Sequence, residues 1–221
     1  MFRNAEQARQ QVGEYTLFGD IYIFIKDPLP DHINLREILT RVESVVPRPF
    51  LYEVESIFIG QFEEFYKMNV NAFFANGAIH VTNQQDTDED MLDDIMHEIA
   101  HAVEIGFALD IYGNQHIRDE FLGKRKRLAK ILSMEGYDVN TEDFLELDFS
   151  QEFDNFLYID VGYPELRNHI SGLFPSPYSV TSIREYFAIG FEKIFLGYSS
   201  EIRTCCPLLF SQISNLYKKY K

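Results

Sequence analysis

The sequence predicts an α+β fold, because β-prone segments occupy its first part and helical segments follow them. Residues 20–25 and 54–59 are rich in branched and aromatic side chains, which is typical of strands. Residues 70–82 predict a hairpin, since Asn76-Gly77 is a favoured two-residue turn and separates two short β-prone runs. Beyond these segments, the apolar residues recur mainly with helical spacing.

Four helices are predicted besides the one that carries the principal motif described below. They cover residues 35–45, 117–134, 182–196 and 207–220. Proline ends the first and starts the last, and Gly136 closes the second. Residues 137–177 are acidic, aromatic and interrupted by Gly and Pro, so short helices and irregular backbone are expected there.

Length and charge set limits on the class of protein. The 221 residues suit a single domain over 1–221, with residues 1–86 mainly sheet-forming and 87–221 mainly helical. A net charge of -15 argues against a nucleic-acid or anionic-membrane partner, since both need clustered cations. The one dense basic run, Lys124 to Arg127, is interpreted as a solvated helix face, with a docking patch as the alternative.

The expected location is the cytoplasm. Met1 to Val12 lacks the apolar core of a signal peptide, and no apolar run is long enough to span a bilayer. The only cysteines, Cys205 and Cys206, are adjacent, which excludes a disulfide framework or a zinc ribbon and indicates a reducing compartment. Leaderless export and packaging in a particle stay open.

The principal motif lies on a further predicted helix. Thr87 can cap its start, with Asp90 three residues on and acidic residues in the first turn. Apolar residues at 91, 92, 95, 99, 102 and 103 form one stripe, whereas His97 and His101 belong to a polar one.

His97-Glu98-Ile99-Ala100-His101 has the spacing of a zinc-peptidase motif. Histidines four apart project from one helix face and can share an ion, and Glu98 is placed to take a proton from the catalytic water. By composition alone such a match arises by chance roughly one time in a hundred. The alternative is a set of ordinary polar residues on a solvated helix, but the cap, the apolar stripe and the preceding hairpin favour the metal site.

A catalytic zinc needs a third protein ligand. Glu104 is two turns from His97, about 10 Å along the helix, and is interpreted as lying outside the ligand set, where it either contacts a ligand or is solvated. Glu120, Glu152 and Glu185 occur in helix-like segments and stay open as candidates. Glu185 is favoured because aromatic neighbours bury its helix, and a carboxylate there needs a partner or a metal. The alternative is a glutamate on the helix surface that forms an ion pair with Arg184 or Lys193.

Three stretches resemble a known family. Residues 97–104 are similar to the active-site helix of the anthrax lethal factor catalytic domain and of the clostridial Pro-Pro endopeptidases. Residues 178–188 carry a tyrosine seven residues before a glutamate that is followed by two aromatics and Ala, as in that family. Residues 202–207 also resemble the segment that leads into the closing helix of the Pro-Pro endopeptidases.

The resemblance implies an HExxH, gluzincin-like zinc metallopeptidase with a zincin-like fold. That fold is a small twisted mixed sheet, with a hairpin edge strand packed on the HExxH helix. The resemblance also implies that Glu185 is the third zinc ligand and that Tyr178 stabilises the tetrahedral intermediate. The alternative for Tyr178 is a loop aromatic packed near prolines. Ile189 departs from the family's acid at that position, and residues 137–177 resemble an insertion, so a proline-rich substrate is not inferred.

The sequence therefore predicts an endopeptidase that uses Zn²⁺ to cleave a protein or peptide substrate. Residues 78–82 are predicted as the edge strand that aligns this substrate, with His80 structural or solvent-facing. One alternative is a non-catalytic interaction or assembly protein of the same fold. Another is an acidic immunity or regulatory factor that acts on a partner through the motif helix.

Overall fold

The computed structural model describes residues 15–221, so the interpretation of Met1 to Val12 concerns residues outside the described range. The described chain is α+β, as predicted, with a small mixed sheet followed by a helical C-terminal part. Its contacts define two compact units, one of residues up to Gly106 with Tyr220–Lys221, the other of Phe107–Lys219. The assignment of residues 1–221 to one domain stays a prediction.

The first unit contains a five-stranded sheet. Its strands are β1 (Thr16–Leu17), β2 (Ile21–Ile25), β3 (Ser56–Ile59), β4 (Ala72–Ala75) and β5 (Ala78–Val81), in the order β1-β2-β3-β5-β4. The central strands β2, β3 and β5 are parallel, whereas β1 and β4 run antiparallel to their neighbours. The predicted strands and the mixed character of the sheet are thus confirmed.

The hairpin of β4 and β5 forms as predicted, but its strands occupy other positions than expected. Asn76 and Gly77 both have positive φ, 51° and 78°, which a tight hairpin turn between twisted strands requires. The prediction that residues 78–82 form the edge strand is wrong, because β5 pairs with β3 on one side and β4 on the other. In this half of the sheet the edge strand is β4, because the chain passes from β3 to the outer position of β4 and the hairpin turn then returns β5 to the position between them.

Alternation along the strands separates two faces of the sheet. One face carries six aliphatic residues, each at most 1% exposed: Ile21, Ile23, Ile57, Ile59, Ile79 and Val81. The other carries an aromatic row that is more exposed, formed by Tyr22, Phe24, Phe58, His80 and Phe73. The aliphatic face is therefore the core face of the first unit.

Helices follow or connect these strands. In the first unit, α1 (Leu35–Val45) lies between β2 and β3 in sequence, and α2 (Glu63–Met68) precedes β4. Helix α3 (Asp88–Tyr112) follows β5, and its residues up to Gly106 belong to the first unit. The second unit contains α4 (His116–Met134), α5 (Gln151–Asn155), α6 (Tyr163–His169), α7 (Ile183–Lys193), α8 (Ser199–Cys205) and α9 (Pro207–Tyr220). Over residues 15–221, no helix combines the length and apolar composition needed to cross a bilayer.

Residues 137–177 consist of short helices and loops, as expected. Besides α5 and α6 they contain a short 3-10 turn at Asp143–Leu145 and a wide π-helical stretch at Phe156–Gly162. The helix predicted at 182–196 ends earlier, at Lys193, and continues as a second π-helical stretch, Ile194–Tyr198. Gly197, with φ of 99°, interrupts that stretch.

The basic run of α4 is only partly solvated, so its interpretation as a solvated face is wrong for two of its four residues. Lys126 and Arg127 are exposed, but Arg125 is 0% exposed and the Lys124 side chain only 11%. Arg125 donates hydrogen bonds to the backbone carbonyls of Asp143 (2.7 Å) and Glu146, and its guanidinium lies 4.1 Å from the Phe153 ring centroid. The buried cation thus anchors residues 143–153 to α4.

His80 lies within the aromatic row rather than in solvent. Its ring stacks on Phe73 at 4.5 Å and on Phe58 at 5.2 Å, while the edge of Phe62 approaches at 5.0 Å. Burial lowers the pKa of His80, although a backbone contact at Ala78 and the Glu64 carboxylate act in the opposite direction. The native state therefore binds a proton here less readily than the unfolded chain does.

This difference predicts acid destabilisation. As pH falls below the ordinary histidine pKa of about 6.5, the unfolded chain takes up the proton first and stability is lost. His80→Phe keeps an aromatic ring in the row but cannot titrate, so its free energy of unfolding is expected to fall less between pH 7 and 5. Denaturant unfolding at both pH values measures this, with His32→Phe on an exposed site as the control. Identical pH slopes for wild type and His80→Phe would contradict the prediction.

Candidate metal centre

Helix α3 begins where the sequence predicts. The Thr87 hydroxyl accepts a hydrogen bond from the Asp90 backbone N–H (3.1 Å) and donates one to the Asp90 carboxylate (2.8 Å). Asp88 accepts a hydrogen bond from the Asn34 backbone N–H, and Gln85 donates one to Asp94, both at 2.8 Å. These contacts fix the first two turns of the helix, and hence the position of the motif one turn later.

His97 and His101 lie one turn apart on α3. Their ring centroids are 4.9 Å apart with planes at 82°, and both side chains are partly exposed. Glu98 between them is 6% exposed. The predicted apolar stripe is buried, and so are Met96 and Ala100, so the helix is enclosed on most of its circumference with the histidines on its more open side.

Glu104 is also 6% exposed, which excludes a solvated position. One of its carboxylate oxygens lies 3.7 Å from Nδ1 of His101. A carboxylate near one ring nitrogen of a histidine favours the proton on that nitrogen and leaves Nε2 as the metal-binding atom. Glu104 is thus placed to orient His101, while the sequence-based exclusion of Glu104 from the ligand set stays a prediction.

The helix changes direction directly after Gly106. Phe107 has non-helical backbone angles (φ -124°, ψ 20°), and the chain then resumes helical geometry up to Tyr112. A Cβ at Gly106 would lie 3.2 Å from the Glu53 Cγ, so a larger residue at this position would require the Glu53 side chain to shift slightly. Gly106 thus directly precedes a kink within the helix.

In the second unit, Glu185 lies in the first turn of α7. The Ser182 hydroxyl caps this helix by accepting a hydrogen bond from the Glu185 backbone N–H at 3.1 Å. The next three residues, Tyr186, Phe187 and Ala188, are all 0% exposed, whereas Glu185 is partly exposed. The cap and the buried neighbours hold the base of the Glu185 side chain in place.

Close packing of α7 on α9 further fixes that helix. A Cβ at Gly190 would lie 2.4 Å from the Leu209 Cδ2 atom, so no larger residue fits at this position. Leu209 is itself 0% exposed. Gly190 therefore permits the close approach, which limits movement of the helix that carries Glu185.

Tyr178 begins the short turn Tyr178–Val180 just before α7. Its carbonyl accepts hydrogen bonds from both the backbone N–H (3.0 Å) and the hydroxyl (2.8 Å) of Thr181. Its side chain is 36% exposed. The backbone at Tyr178 is thus fixed, while the phenol remains accessible.

Tyr163 is a further side chain of this region that the sequence did not single out. Its hydroxyl donates a 2.8 Å hydrogen bond to Asp154. Burial and then this hydrogen bond raise the pKa of Tyr163, and the charges of the Asp154 carboxylate, of an ionised Tyr178 and of the Glu185 carboxylate act in the same direction. The three side chains are therefore neighbours within the second unit. Gly162-Tyr163-Pro164 resembles an ordinary turn, so no local signal marks this tyrosine.

The other two candidates for the third ligand have different surroundings. Glu120 accepts hydrogen bonds from the backbone N–H groups of Leu208 (2.8 Å) and Leu209 (2.9 Å), and so caps the start of α9. It also lies 3.3 Å from the Lys124 ammonium. Glu152 is exposed in the first turn of α5. Neither position favours a metal ligand.

Among residues 15–221, one group of three side chains meets the distance requirement for holding a metal ion: His97, His101 and Glu185. The ligand atoms that they offer lie within 4.8 Å of one another, and all three side chains are partly exposed. Two imidazoles and one carboxylate match the ligand set of hydrolytic zinc sites, which leave a fourth position for water or substrate. The donor set therefore fits zinc.

Comparison with known proteins adds no further constraint. No protein-family model, curated protein or solved structure matches this chain.

Proposed function

We propose that this protein is a zinc-dependent endopeptidase of zincin-like fold, which hydrolyses peptide bonds of a protein or peptide substrate. What supports this function is the group His97, His101 and Glu185, with Glu98 on the same helix as both histidines. The combination of this donor set with the HExxH spacing is typical of metallopeptidases.

In this proposal His97, His101 and Glu185 hold the ion. Bound zinc polarises a carbonyl and lowers the pKa of a water molecule. The Glu98 carboxylate takes a proton from the attacking water and delivers it to the nitrogen of the departing amine. Glu104 keeps the His101 ring oriented through Nδ1.

The substrate-aligning strand in this proposal is β4 rather than β5. Because β5 is paired on both sides, only β4 and β1 have an unpaired edge among the described strands. An extended peptide can add to the edge of β4, which belongs to the hairpin that precedes the motif helix in sequence.

Tyr178 is proposed to donate a hydrogen bond to the oxyanion of the tetrahedral intermediate. Tyr178→Phe removes that donor while keeping the ring, so kcat is expected to fall by about 10²–10³-fold with little change in zinc content. Steady-state kinetics on a cleaved peptide measure this, with Tyr158→Phe on an exposed tyrosine as the matched control. An unchanged kcat would leave Tyr178 as a loop aromatic near Pro175 and Pro177.

The function itself is tested by offering the purified, zinc-loaded chain a complex library of peptides and identifying new termini by mass spectrometry. Internal cleavage at a recurrent sequence pattern is expected. Cleavage should stop when a chelator removes the metal and resume when Zn²⁺ is added back. The same preparation carrying Glu98→Gln serves as the control for contaminating peptidases.

Absence of any cleavage by the zinc-loaded chain, with the library cut by a known peptidase in parallel, would contradict the proposal. A chain that binds zinc but cleaves nothing would favour the non-catalytic interaction protein predicted as the alternative.

A further inference from the structure

A second cluster of reactive side chains lies at the junction of α8 and α9, within the second unit. Cys205 ends α8, and Cys206, with non-helical backbone angles (φ -134°, ψ 62°), connects it to Pro207 at the start of α9. The two Sγ atoms are 3.2 Å apart, at hydrogen-bonding distance for thiols. A disulfide bond is about 2.0 Å long, so only a small movement separates the pair from bonding distance.

The Lys124 ammonium is directed at this junction. Its Nζ atom lies 3.1 Å from the Cys206 sulfur and donates hydrogen bonds to the carbonyls of Leu173 (2.7 Å) and Cys205. A hydrogen bond from the Cys205 thiol and the charge of Lys124 lower the pKa of Cys206 to about 7, although burial opposes them. The same hydrogen bond, followed by burial, raises the pKa of Cys205.

The two sulfurs differ in access. Cys206 is 0% exposed, whereas Cys205 is partly exposed and lines an open pocket of about 800 Å³. Arg167 and Lys193 also line this pocket, together with serine and threonine side chains. A small polar reagent can therefore reach Cys205 first. Cys206 lies next to it, in the position of a resolving cysteine, which forms a disulfide with the oxidised sulfur.

We propose that Cys205 and Cys206 form a redox-active dithiol, which a small peroxide entering this pocket converts into a reversible vicinal disulfide. This site is separate from the peptidase chemistry and uses none of its residues.

The reaction proceeds in two steps. Cys206 first releases its proton to solvent, and the resulting thiolate takes the proton of Cys205 across the short contact. The Cys205 thiolate then attacks one peroxide oxygen. The O–O bond breaks, the second oxygen leaves as hydroxide and is protonated to water, and Cys205 becomes a sulfenic acid. Cys206 then loses its proton and attacks the Cys205 sulfur, the S–O bond breaks, and hydroxide leaves and is protonated to the second water. In total, the two thiols lose two electrons and two protons and become a disulfide. The peroxide gains these electrons and protons and becomes two water molecules.

Reversibility follows from the geometry of neighbouring residues. Consecutive Cα atoms are about 3.8 Å apart, closer than the usual 4.4–6.8 Å across a disulfide. Such a bond is strained, and strained disulfides are reduced more readily than structural ones. A thiol reductant should therefore restore the dithiol.

The test is intact-mass spectrometry after treatment with hydrogen peroxide. The wild type is expected to lose the mass of two hydrogen atoms and to regain it with dithiothreitol. The chain has no other cysteine, so an intramolecular disulfide can only join this pair. A wild type that gains oxygen atoms without this loss, or that forms a covalent dimer instead, would overturn the proposal.

Single substitutions assign the two roles. Cys206→Ser is expected to stop at the sulfenic acid of Cys205, which dimedone traps, and then to oxidise further. Cys205→Ser should react more slowly with peroxide, because the remaining thiol is buried. Faster oxidation of Cys205→Ser than of Cys206→Ser would contradict the assignment.

The role of Lys124 is tested by the rate of alkylation with iodoacetamide. Cys205 is the thiol that the reagent reaches, and it becomes a thiolate by giving its proton to deprotonated Cys206. The rate should therefore follow the first deprotonation of the pair, with a midpoint near pH 7 in the wild type, well below the ordinary cysteine pKa of about 8.5. Lys124→Met should slow alkylation at pH 7 by about tenfold for each unit by which the thiol pKa rises. Because Lys124→Met also removes hydrogen bonds to two carbonyls, the wild-type midpoint stands as an independent measurement. A midpoint at or above 8.5 would contradict the activation of the dithiol.

Discussion

Glu98→Gln is expected to lower the rate of peptide hydrolysis by about 10²–10⁴-fold while the chain still binds zinc. Glutamine has nearly the same size and shape as glutamate, so the 6% exposed site keeps its packing. The amide cannot accept the proton of the attacking water, and the general-base contribution is lost. Kinetics at saturating zinc, with the zinc content measured on the same sample, give both quantities.

Glu104→Gln is the matched control for this substitution. It changes an equally buried glutamate on the same helix. Because Glu104 contacts His101 rather than serving as the base, its loss should weaken zinc binding and leave kcat at saturating zinc within about tenfold of the wild type. Undiminished hydrolysis by Glu98→Gln, or equal losses in both variants, would contradict the role assigned to Glu98.

Arg125→Met is expected to lower the free energy of unfolding by about 2–4 kcal/mol. Methionine retains much of the packing against Phe121, Phe144 and Phe153, but the carbonyls of Asp143 and Glu146 lose their charged hydrogen-bond donor. Burial lowers the pKa of Arg125 only to about 10, so the guanidinium is charged at neutral pH. Denaturant unfolding of both proteins measures the difference.

The control for Arg125→Met is Arg127→Met, which removes an exposed arginine two residues away on the same helix. That change is expected to stay within about 0.5 kcal/mol of the wild type. An Arg125→Met variant as stable as the wild type would mean that the free-energy cost of burying the cation equals the stabilisation from its hydrogen bonds. That result would contradict the role of Arg125 in anchoring residues 143–153.

Local signals account for the parts of the fold that could be predicted from the sequence. The Thr87 cap, the Asn76-Gly77 turn and Pro207 act within a few residues of themselves, and the structure has the corresponding elements where the sequence places them. The position of β5 inside the sheet depends instead on pairing with β3, which lies outside the hairpin. No residue within the hairpin carries that information.

The buried cations of α4 show the same limit. Arg125 and Lys124 belong to a run of four basic residues, which is typical of a solvated surface. Their burial depends on aromatic and carbonyl groups of residues 143–153 and 173–206, which only the tertiary fold brings to α4. Composition and helical spacing cannot distinguish these two residues from exposed Lys126 and Arg127.

Part of the candidate site could also be predicted, for a similar reason. His97, Glu98 and His101 are positioned by one helix, so their spacing in sequence already implies their shared face. Glu185 lies far away in sequence, and the reasoning from residue types left Glu120 and Glu152 open beside it. No motif in the sequence around Tyr163 indicates a functional role. Its proximity to Tyr178 and Glu185 depends on how residues 154–185 fold.

The proposed chemistry depends on a zinc ion that His97, His101 and Glu185 hold together. Elemental analysis of wild type, Glu185→Ala and Glu120→Ala, each dialysed against the same limiting zinc, tests whether they do. Circular dichroism confirms that the variants are folded. We predict one zinc per wild-type chain, the same in Glu120→Ala and far less in Glu185→Ala. No zinc in the wild type, or equal zinc in wild type and Glu185→Ala, would show that these three side chains do not form the metal site.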